Sequence, residues 1–296
     1  MQNKTTYDEL LYLVTYRCDR KCSFCFNEIF DNKIDKSLNE NRDVNRIVEF
    51  IRDLGIKKVY ISGGEPSMRD DIFSIVSGLS MVANVVIFTN GLLFNRFTVE
   101  LIAKQSLSAI NISLQKGDIL MNTEYFQKLL HLVGKLRNIN NKIKLNAQVM
   151  LDGDYFSLKN SYGLKTANTC FDRLFWQPLT LRPDMIGYSN TLEGMDKMVS
   201  NQILSDLKSL SEGEYQKHID TIQMYLNKEI MPLCRMGYNY LVLNPDMQTV
   251  RCCPHLNLPV FSISDALQRP SVKHTSDCLS MACICLYSHL LRRYKD

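Results

Sequence analysis

Three cysteines near the start of the chain are spaced as ligands of a metal centre. Cys18, Cys22 and Cys25 form a C-x3-C-x2-C pattern, directly after an apolar run at residues 10–14 that predicts a first strand. So tight a loop brings three thiolates to one side and leaves no fourth protein ligand. Three soft sulfur ligands with one vacant position suit a [4Fe–4S] cluster whose fourth iron binds another molecule. The alternative is structural zinc, although such sites use four protein ligands.

A glycine-rich turn follows the next predicted strand. Gly63, Gly64, Glu65 and Pro66 come directly after the apolar segment that ends at Ser62. Two successive glycines allow a sharp turn and a close approach to a ligand, because neither carries a Cβ atom. Such a segment on its own indicates an ordinary turn. Behind a three-cysteine loop it indicates a binding site.

Together these motifs resemble those of the radical S-adenosylmethionine (SAM) superfamily. The resemblance implies that the three cysteines hold a [4Fe–4S] cluster and that its open iron chelates the amino and carboxylate groups of SAM. Phe24, the aromatic residue before the last cysteine, also fits the family pattern. In the family, the segment that corresponds to residues 63–66 hydrogen-bonds the SAM amino group.

Polar residues at later strand ends resemble the rest of the family's SAM pocket, with the capping of a strand or helix as the alternative role of each. One departure concerns residues 115–118, where many relatives have an Asp-Gly pair followed downstream by Arg-Gly. The family's carboxylate contact is therefore not carried over, and Lys116 is one candidate for it. Val149 or Met150 would flank the adenine. The predicted pocket residues are Thr89, Asn90, Ser113, Gln115, Asn146, Gln148 and Met150.

The last part of the chain is rich in cysteine. A cysteine, a hairpin, a second cysteine and a close pair resemble the twitch auxiliary domain, the shorter relative of the SPASM domain. The resemblance implies a second [4Fe–4S] cluster, with a zinc site or a unit without metal as alternatives. The predicted ligands are Cys234, Cys252, Cys278 and Cys283, with Cys285 as an alternative to Cys283.

Cys253 has a separate prediction. It adjoins Cys252, and adjacent residues of a strand point to opposite faces, so both can hardly bind one cluster. A spare thiol that faces the substrate could donate a hydrogen atom to a substrate radical. An ordinary buried cysteine is the alternative.

Alternating strands and helices must position these residues. Six repeats between residues 10 and 179, with strands that read as buried on both faces, predict an α/β fold with a parallel sheet. The resemblance implies a partial (β/α)6 TIM-like barrel, whose functional residues lie at the carboxyl ends of the strands. The predicted strands are 10–15, 57–62, 85–89, 109–114, 143–150 and 174–178. The predicted helices are 44–54, 70–82, 98–106, 125–138 and 155–169.

The repeating pattern ends near residue 180. We predict a barrel core at 1–180, a helical connection at 181–233 and a small cysteine-rich auxiliary-cluster domain at 234–296. Within these, helices are expected near 195–210 and 215–228. A hairpin is expected from strands at 240–244 and 249–253 around the Pro245-Asp246 turn.

Composition narrows the class of protein. The 296 residues are 45% hydrophobic and 22% charged, with a net charge of +4 and no basic stripe that would indicate nucleic acid. No apolar run has the length of a membrane span, and no signal peptide is evident. Ten cysteines without a secretion signal indicate a reducing compartment. We therefore expect a cytoplasmic protein with no membrane partner.

The resemblance implies an enzyme that cleaves SAM reductively and uses the 5′-deoxyadenosyl radical to abstract hydrogen. We expect a small-molecule substrate, such as a sugar, aminocyclitol or nucleoside, because the first strand begins too early to leave room for an amino-terminal peptide-recognition domain. Oxidation or epimerisation would follow, with a flavodoxin or ferredoxin as electron donor. The alternatives are a peptide-modifying maturase and a zinc-stapled binding scaffold without catalysis.

Overall fold

The computed structural model describes residues 7–22, 25, 43–151, 155–178, 201–206, 240–245, 247–250 and 261–262. Residues 201–206 are helical, within the predicted helix near 195–210. The predicted helix near 215–228 lies outside the described residues. So do Phe24, Cys234, Cys252, Cys253, Cys278, Cys283 and Cys285.

One nine-stranded sheet organises the described part of the chain, in the order β6-β5-β4-β3-β2-β1-β7-β8-β9. Strands β1 to β7 are parallel to one another, while β8 pairs antiparallel with β7 and β9 pairs antiparallel with β8. The open parallel sheet confirms the α/β partial-barrel prediction. The strands are β1 Glu9–Leu13, β2 Lys58–Ser62, β3 Asn84–Thr89, β4 Ala109–Leu114, β5 Lys144–Leu151, β6 Arg173–Pro178, β7 Tyr240–Leu243, β8 Gln248–Val250 and β9 Phe261–Ser262.

The helices follow the predicted pattern with three additions and one division. The three additions are a 3₁₀ turn at Pro66–Met68 and two short helices, α3 and α5. The helix predicted at 155–169 is divided into two, and Ser161 caps the second of them. None of the helices in the described ranges is long and apolar enough to cross a membrane. The helices are α1 Val44–Leu54, α2 Ile72–Ser80, α3 Leu93–Arg96, α4 Val99–Ala103, α5 Lys116–Met121, α6 Glu124–Ile139, α7 Tyr155–Asn160 and α8 Tyr162–Cys170.

Helix α1 shows how local sequence sets its ends. The Asp43 side chain accepts a hydrogen bond from the backbone N–H of Arg46 and begins the helix. Gly55 ends it in the left-handed conformation, with φ of 71°. Both end signals can be read directly from the sequence.

The sheet has two chemically different faces. One packs against the helices in an apolar core that contains Tyr12, Ile61 and Ile112. We call the opposite side the inner face, because strand alternation places there the residues between those of the core. Polar groups occur on the inner face of β4 and β5, whereas β1 and β2 contribute buried Leu11 and Tyr60.

Strand β7 joins a late segment of the chain to the barrel sheet. Tyr240 pairs with Glu9 in a parallel register, and β8 then folds back on β7 as an antiparallel partner. The predicted hairpin is thereby confirmed, with β7 ending at Leu243 and β8 beginning at Gln248, one residue earlier than expected in each case. The last part of the predicted second strand, residues 251–253, lies outside the described residues. The division between a barrel core and a separate auxiliary domain stays a prediction.

Two helical glycines give a matched test of the packing. An alanine at Gly134 in α6 would meet no atom within 4 Å, so Gly134→Ala should raise the free energy of unfolding by about 0.5–1 kcal/mol. At Gly78 in α2 a Cβ atom would lie 2.5 Å from Val44 Cγ1, so Gly78→Ala should lower the free energy of unfolding by roughly 1–2 kcal/mol. Urea unfolding followed by circular dichroism measures both. A gain of stability in both variants would contradict the packing of α1 on α2.

Candidate active site at the ends of the first three strands

The cysteine loop leaves the sheet directly after β1. Cys18, Cys22 and Cys25 are all partly exposed, and the Cys25 backbone N–H donates to the Cys22 carbonyl over 2.9 Å. Burial raises the pKa of the Cys18 thiol to about 11, although a backbone N–H from Arg20 acts against this. A metal centre bound there would favour the thiolate, because metal ligation displaces the proton.

A backbone ladder continues beyond the ends of β1 and β2. The Gly64 N–H donates to the Thr15 carbonyl over 2.7 Å, and the Glu65 N–H donates to the Arg17 carbonyl over 2.8 Å. Arg17 immediately precedes the first cysteine. We call these contacts between residues 15–17 and 63–65 the strand-end ladder.

The strand-end ladder gives the two glycines a specific role. A Cβ atom on Gly63 would lie 2.3 Å from the Thr15 carbonyl oxygen, and one on Gly64 would lie 2.0 Å from the Arg17 carbonyl oxygen. Gly63 also has φ of 137°, a conformation that other residues rarely adopt. The glycines are thus required by the approach of two backbones, a reason that the sequence analysis did not give.

Glu65 connects the ends of β2 and β3. Its carboxylate is 1% exposed and accepts hydrogen bonds from the backbone and hydroxyl of Ser67, the Thr89 hydroxyl and the Asn90 backbone. Burial raises the pKa of Glu65, and these four donors partly offset that effect. Thr89 and Glu65, both predicted to bind SAM, therefore bind each other.

Asn90 extends this connection to the cysteine loop. Its side-chain Nδ2 donates to Asp19 Oδ1 over 2.7 Å and lies 3.8 Å from Cys18 Sγ. Its backbone carbonyl accepts from the Tyr125 hydroxyl over 3.4 Å. At Gly91 a Cβ atom would lie 2.5 Å from that hydroxyl, so the absence of a side chain lets Tyr125 reach the strand end.

Arg69 is a site residue that the sequence analysis missed. Its buried guanidinium pairs with both oxygens of Asp71, at 2.8 and 2.7 Å, and donates to the Val14 carbonyl over 3.0 Å. Two of these contacts are local, and the arginine-aspartate spacing could have indicated them. The third reaches the end of β1 and could not be read from spacing.

The remaining predicted pocket residues lie on the inner face or beside it. Ser113 on β4 is in register with Gln148 on β5. Met150 shares the face of Gln148, whereas Val149 is buried in the helix-facing core. The Gln115 backbone carbonyl accepts from the backbone N–H of Ile119 at the start of α5, and Pro66 begins the 3₁₀ turn. Their assignment to SAM stays a prediction.

The chemistry of their donor atoms suits the three cysteines to an iron–sulfur cluster. Three thiols on an eight-residue loop are the soft ligands that iron–sulfur clusters use. Among the described residues, no three His, Cys, Asp or Glu side chains converge on a position for a single metal ion. The strand-end ladder holds a glycine backbone, bare of side chains, beside this loop.

Gly64→Ala tests the strand-end ladder. The new methyl group would collide with the backbone before Cys18, so the cysteine loop must move and iron retained after anaerobic reconstitution should fall to less than about half of the wild-type amount. Gly134→Ala is the matched control, because a Cβ atom at Gly134 in α6 meets nothing within 4 Å. Wild-type iron content in both variants would show that the ladder does not position the loop.

Comparisons with known proteins agree with this geometry. The model of the Radical SAM superfamily matches residues 12–154. The molybdenum cofactor biosynthesis protein moc-5 of Caenorhabditis elegans is 32% identical over 146 residues, which cover 46% of this chain and 24% of that protein. The GTP 3′,8-cyclase of Campylobacter jejuni strain RM1221 is 30% identical over 142 residues, which cover 45% of this chain and 44% of that protein. The chain thus spans less than half of the length of either relative.

Solved structures show a similar fold. Streptococcus suis SuiB, bound to its precursor peptide SuiA, superposes with a TM-score of 0.65 over 89% of this chain and 64% of SuiB. At 20% sequence identity this likeness concerns the fold. The family match over residues 12–154, the open parallel sheet and the three-cysteine loop agree with one another: this part of the chain is similar to a radical SAM domain.

Proposed function

We propose that the chain is a radical SAM enzyme in which Cys18, Cys22 and Cys25 hold a [4Fe–4S] cluster and residues 63–66 receive SAM. Once bound, cluster and SAM supply one electron and a scissile C–S bond, which give methionine and a 5′-deoxyadenosyl radical that removes a hydrogen atom from the substrate. The strand-end ladder carries this proposal, because it ties the cysteine loop to the Gly-Gly-Glu segment by direct hydrogen bonds.

The protein's own groups would hold and tune this site. The backbone N–H of Arg20 lies 3.4 Å from Cys18 Sγ, and Asn90 Nδ2 lies 3.8 Å from the same sulfur. Donors near a ligating sulfur stabilise negative charge, which is one means by which proteins set the reduction potential of a cluster. Asn90 would therefore influence the cluster directly as well as position the loop.

The inner face supports a small-molecule substrate. Phe88, Asn111, Asn146 and Arg173 lie side by side across β3 to β6, and we call them the inner row. Asn146 Nδ2 donates to Asn111 Oδ1 over 2.8 Å, while Asn146 Oδ1 is buried and has no partner among the described residues. Flipping both side-chain amides exchanges their oxygen and nitrogen atoms, so that Asn111 becomes the donor and Asn146 the acceptor. In either arrangement the pair keeps one oxygen acceptor and one amide donor for a ligand.

This lining favours a ring with hydrogen-bonding edges over a highly charged molecule. An aromatic side chain can stack on a planar ring, and paired carboxamides can bind a group that carries both a donor and an acceptor. A triphosphate would need several cations, and the inner row offers Arg173 alone. Of the substrates expected from the sequence, a nucleoside fits the inner row better than a sugar or aminocyclitol. The likeness to GTP 3′,8-cyclases agrees with this choice only for the nucleoside part of GTP, because the inner row does not favour the triphosphate.

The fate of the substrate radical depends on residues outside the described ranges. In an oxidation, the radical loses one electron to an auxiliary cluster and one proton to solvent. In an epimerisation, it takes a hydrogen atom from a thiol such as Cys253, and the resulting sulfur radical must be reduced again. A reducing protein such as a flavodoxin or ferredoxin would supply the electron for SAM cleavage.

Peptide modification is the second candidate function. The observation that favours it is the structural likeness to SuiB, which was crystallised with its precursor peptide. Deuterium transfer from labelled substrate into 5′-deoxyadenosine distinguishes the two functions. Transfer from a nucleoside would support our proposal, and transfer only from a peptide would replace it.

Iron and sulfide per chain test the cluster assignment. Anaerobically reconstituted protein should hold about eight irons and a Cys18/Cys22/Cys25 triple alanine variant about four, if both cubane clusters are present. About four irons in the wild type and none in the triple variant would show that the SAM-binding cluster is present and that the auxiliary cluster is absent. Cys170→Ala is the matched control, because Cys170 is a free cysteine packed against the core. Zinc without iron would establish the scaffold alternative.

Asn146→Leu tests the inner row. Loss of a hydrogen bond to substrate should lower kcat/KM by about 5- to 100-fold, corresponding to roughly 1–3 kcal/mol. Iron content should be unchanged. The rate of SAM cleavage without substrate separates the two roles proposed for Asn146: an unchanged rate supports substrate binding, whereas a lower rate supports the contact with SAM that the sequence predicts. Asn138→Leu, at an exposed position of α6, is the control. Equal kcat/KM values for the two variants would place the substrate elsewhere.

A further inference from the structure

We propose that Arg20 is a positioning residue for the cysteine loop, and that Asp118 and Tyr125 clamp its guanidinium. These three residues, which we call the loop clamp, join the loop to the segment after β4. The inference rests on the proposed function, since it takes the loop to hold the cluster. It concerns a part of the site for which the sequence motifs assign no role.

The contacts of Arg20 come from two different helices. Its Nη1 lies 3.7 Å from Asp118 Oδ2 on α5, and its Cζ lies 5.2 Å from the centre of the Tyr125 ring on α6. The Arg20 and Asp118 side chains are only 20% and 25% exposed. Ion pairs and cation–π contacts that are partly removed from water are stronger than those at an open surface.

The partners of Arg20 are themselves fixed. Asp118 Oδ1 accepts from the Thr123 hydroxyl over 3.1 Å, and the Thr123 backbone N–H donates to the Asp118 carbonyl over 3.2 Å. Thr123 also caps α6, and Tyr125 donates to the Asn90 carbonyl. The guanidinium therefore meets a preformed corner between α5 and α6.

The loop is held on two sides as a result. Asp19 is bound by Asn90 at the end of β3, and Arg20 is bound by the α5–α6 corner. Both lie between Cys18 and Cys22, so these contacts set the separation and direction of two predicted cluster ligands. Loss of the clamp should leave the thiols available but alter their arrangement.

The clamp also gives a role to the segment that departs from the family pattern. Gln115 is the N-cap of α5 and residues 116–118 form its first turn, from which Asp118 reaches the cysteine loop. In this chain that segment acts on the loop through Arg20. SAM would be affected only through the position of the cluster.

A double-mutant cycle tests the clamp. The variants are Arg20→Ala, Asp118→Ala and the combination, with Lys21→Ala as the matched control because Lys21 is an exposed cation of the same loop. Each full-length protein is reconstituted anaerobically and reduced with dithionite. The measurements are iron per chain, the electron paramagnetic resonance spectrum with and without SAM, and the rate of 5′-deoxyadenosine formation without substrate. Arg20→Lys is added because it keeps the charge.

Arg20→Ala should retain the cluster but show a smaller spectral change on addition of SAM. Its rate of SAM cleavage should fall by about 10- to 100-fold, the loss expected when reacting groups are misplaced by up to 1 Å. Asp118→Ala should show a similar defect, and the double variant should be little worse than either single one. Arg20→Lys should recover part of the rate, and Lys21→Ala should match the wild type.

Two results would overturn the inference: additive effects of Arg20→Ala and Asp118→Ala, or equal behaviour of Arg20→Ala and Lys21→Ala. A wild-type protein that takes up no iron would instead refute the proposed function. The thermal unfolding midpoint of each iron-free variant identifies any variant that has lost its fold. In that case Asp118→Asn, which removes the charge of the carboxylate with little change of shape, replaces Asp118→Ala in the comparison. A wild-type spectrum and rate for both Arg20→Lys and Asp118→Asn would then overturn the clamp.

Discussion

The site depends on a contact between two backbones that is too close for any side chain. Residues 15–17 and 63–65 continue the pairing of β1 and β2 beyond the strands, and Gly63 and Gly64 leave the space that this requires. The cysteine loop begins where the ladder ends. Its first cysteine is therefore placed by main-chain geometry, which is more rigid than contact through a flexible side chain.

A buried carboxylate then joins the third strand to the first two. Parallel strands end at the same edge of a sheet, so short polar residues from consecutive strands can meet there. Glu65 accepts four hydrogen bonds at this edge, and Asn90 passes the connection on to Asp19 in the loop. The predicted binding motifs thus have a second role, because they build the rim on which a cofactor would rest.

The periodic part of the fold could be predicted from sequence. The bounds of α1 and β4 match the predictions, since apolar periodicity and end signals such as Asp43 and Gly55 act locally. The short helix α5 could not be predicted, because six residues hold too little periodicity. The contact between Arg20 and Asp118 spans almost a hundred positions, and nothing in the local pattern of either residue indicates it. The motifs locate the site, whereas the contacts that orient it come from tertiary structure.

The pairing of β7 with β1 has a consequence for the order of folding. Glu9 and Tyr240 are neighbours in the sheet, although more than two hundred residues separate them in the chain. Contacts of such high sequence separation form slowly, because a long loop must close before the pairing stabilises the chain. During synthesis, β1 therefore remains an edge strand until β7 has left the ribosome, with one side of the strand that leads into the cysteine loop open to solvent.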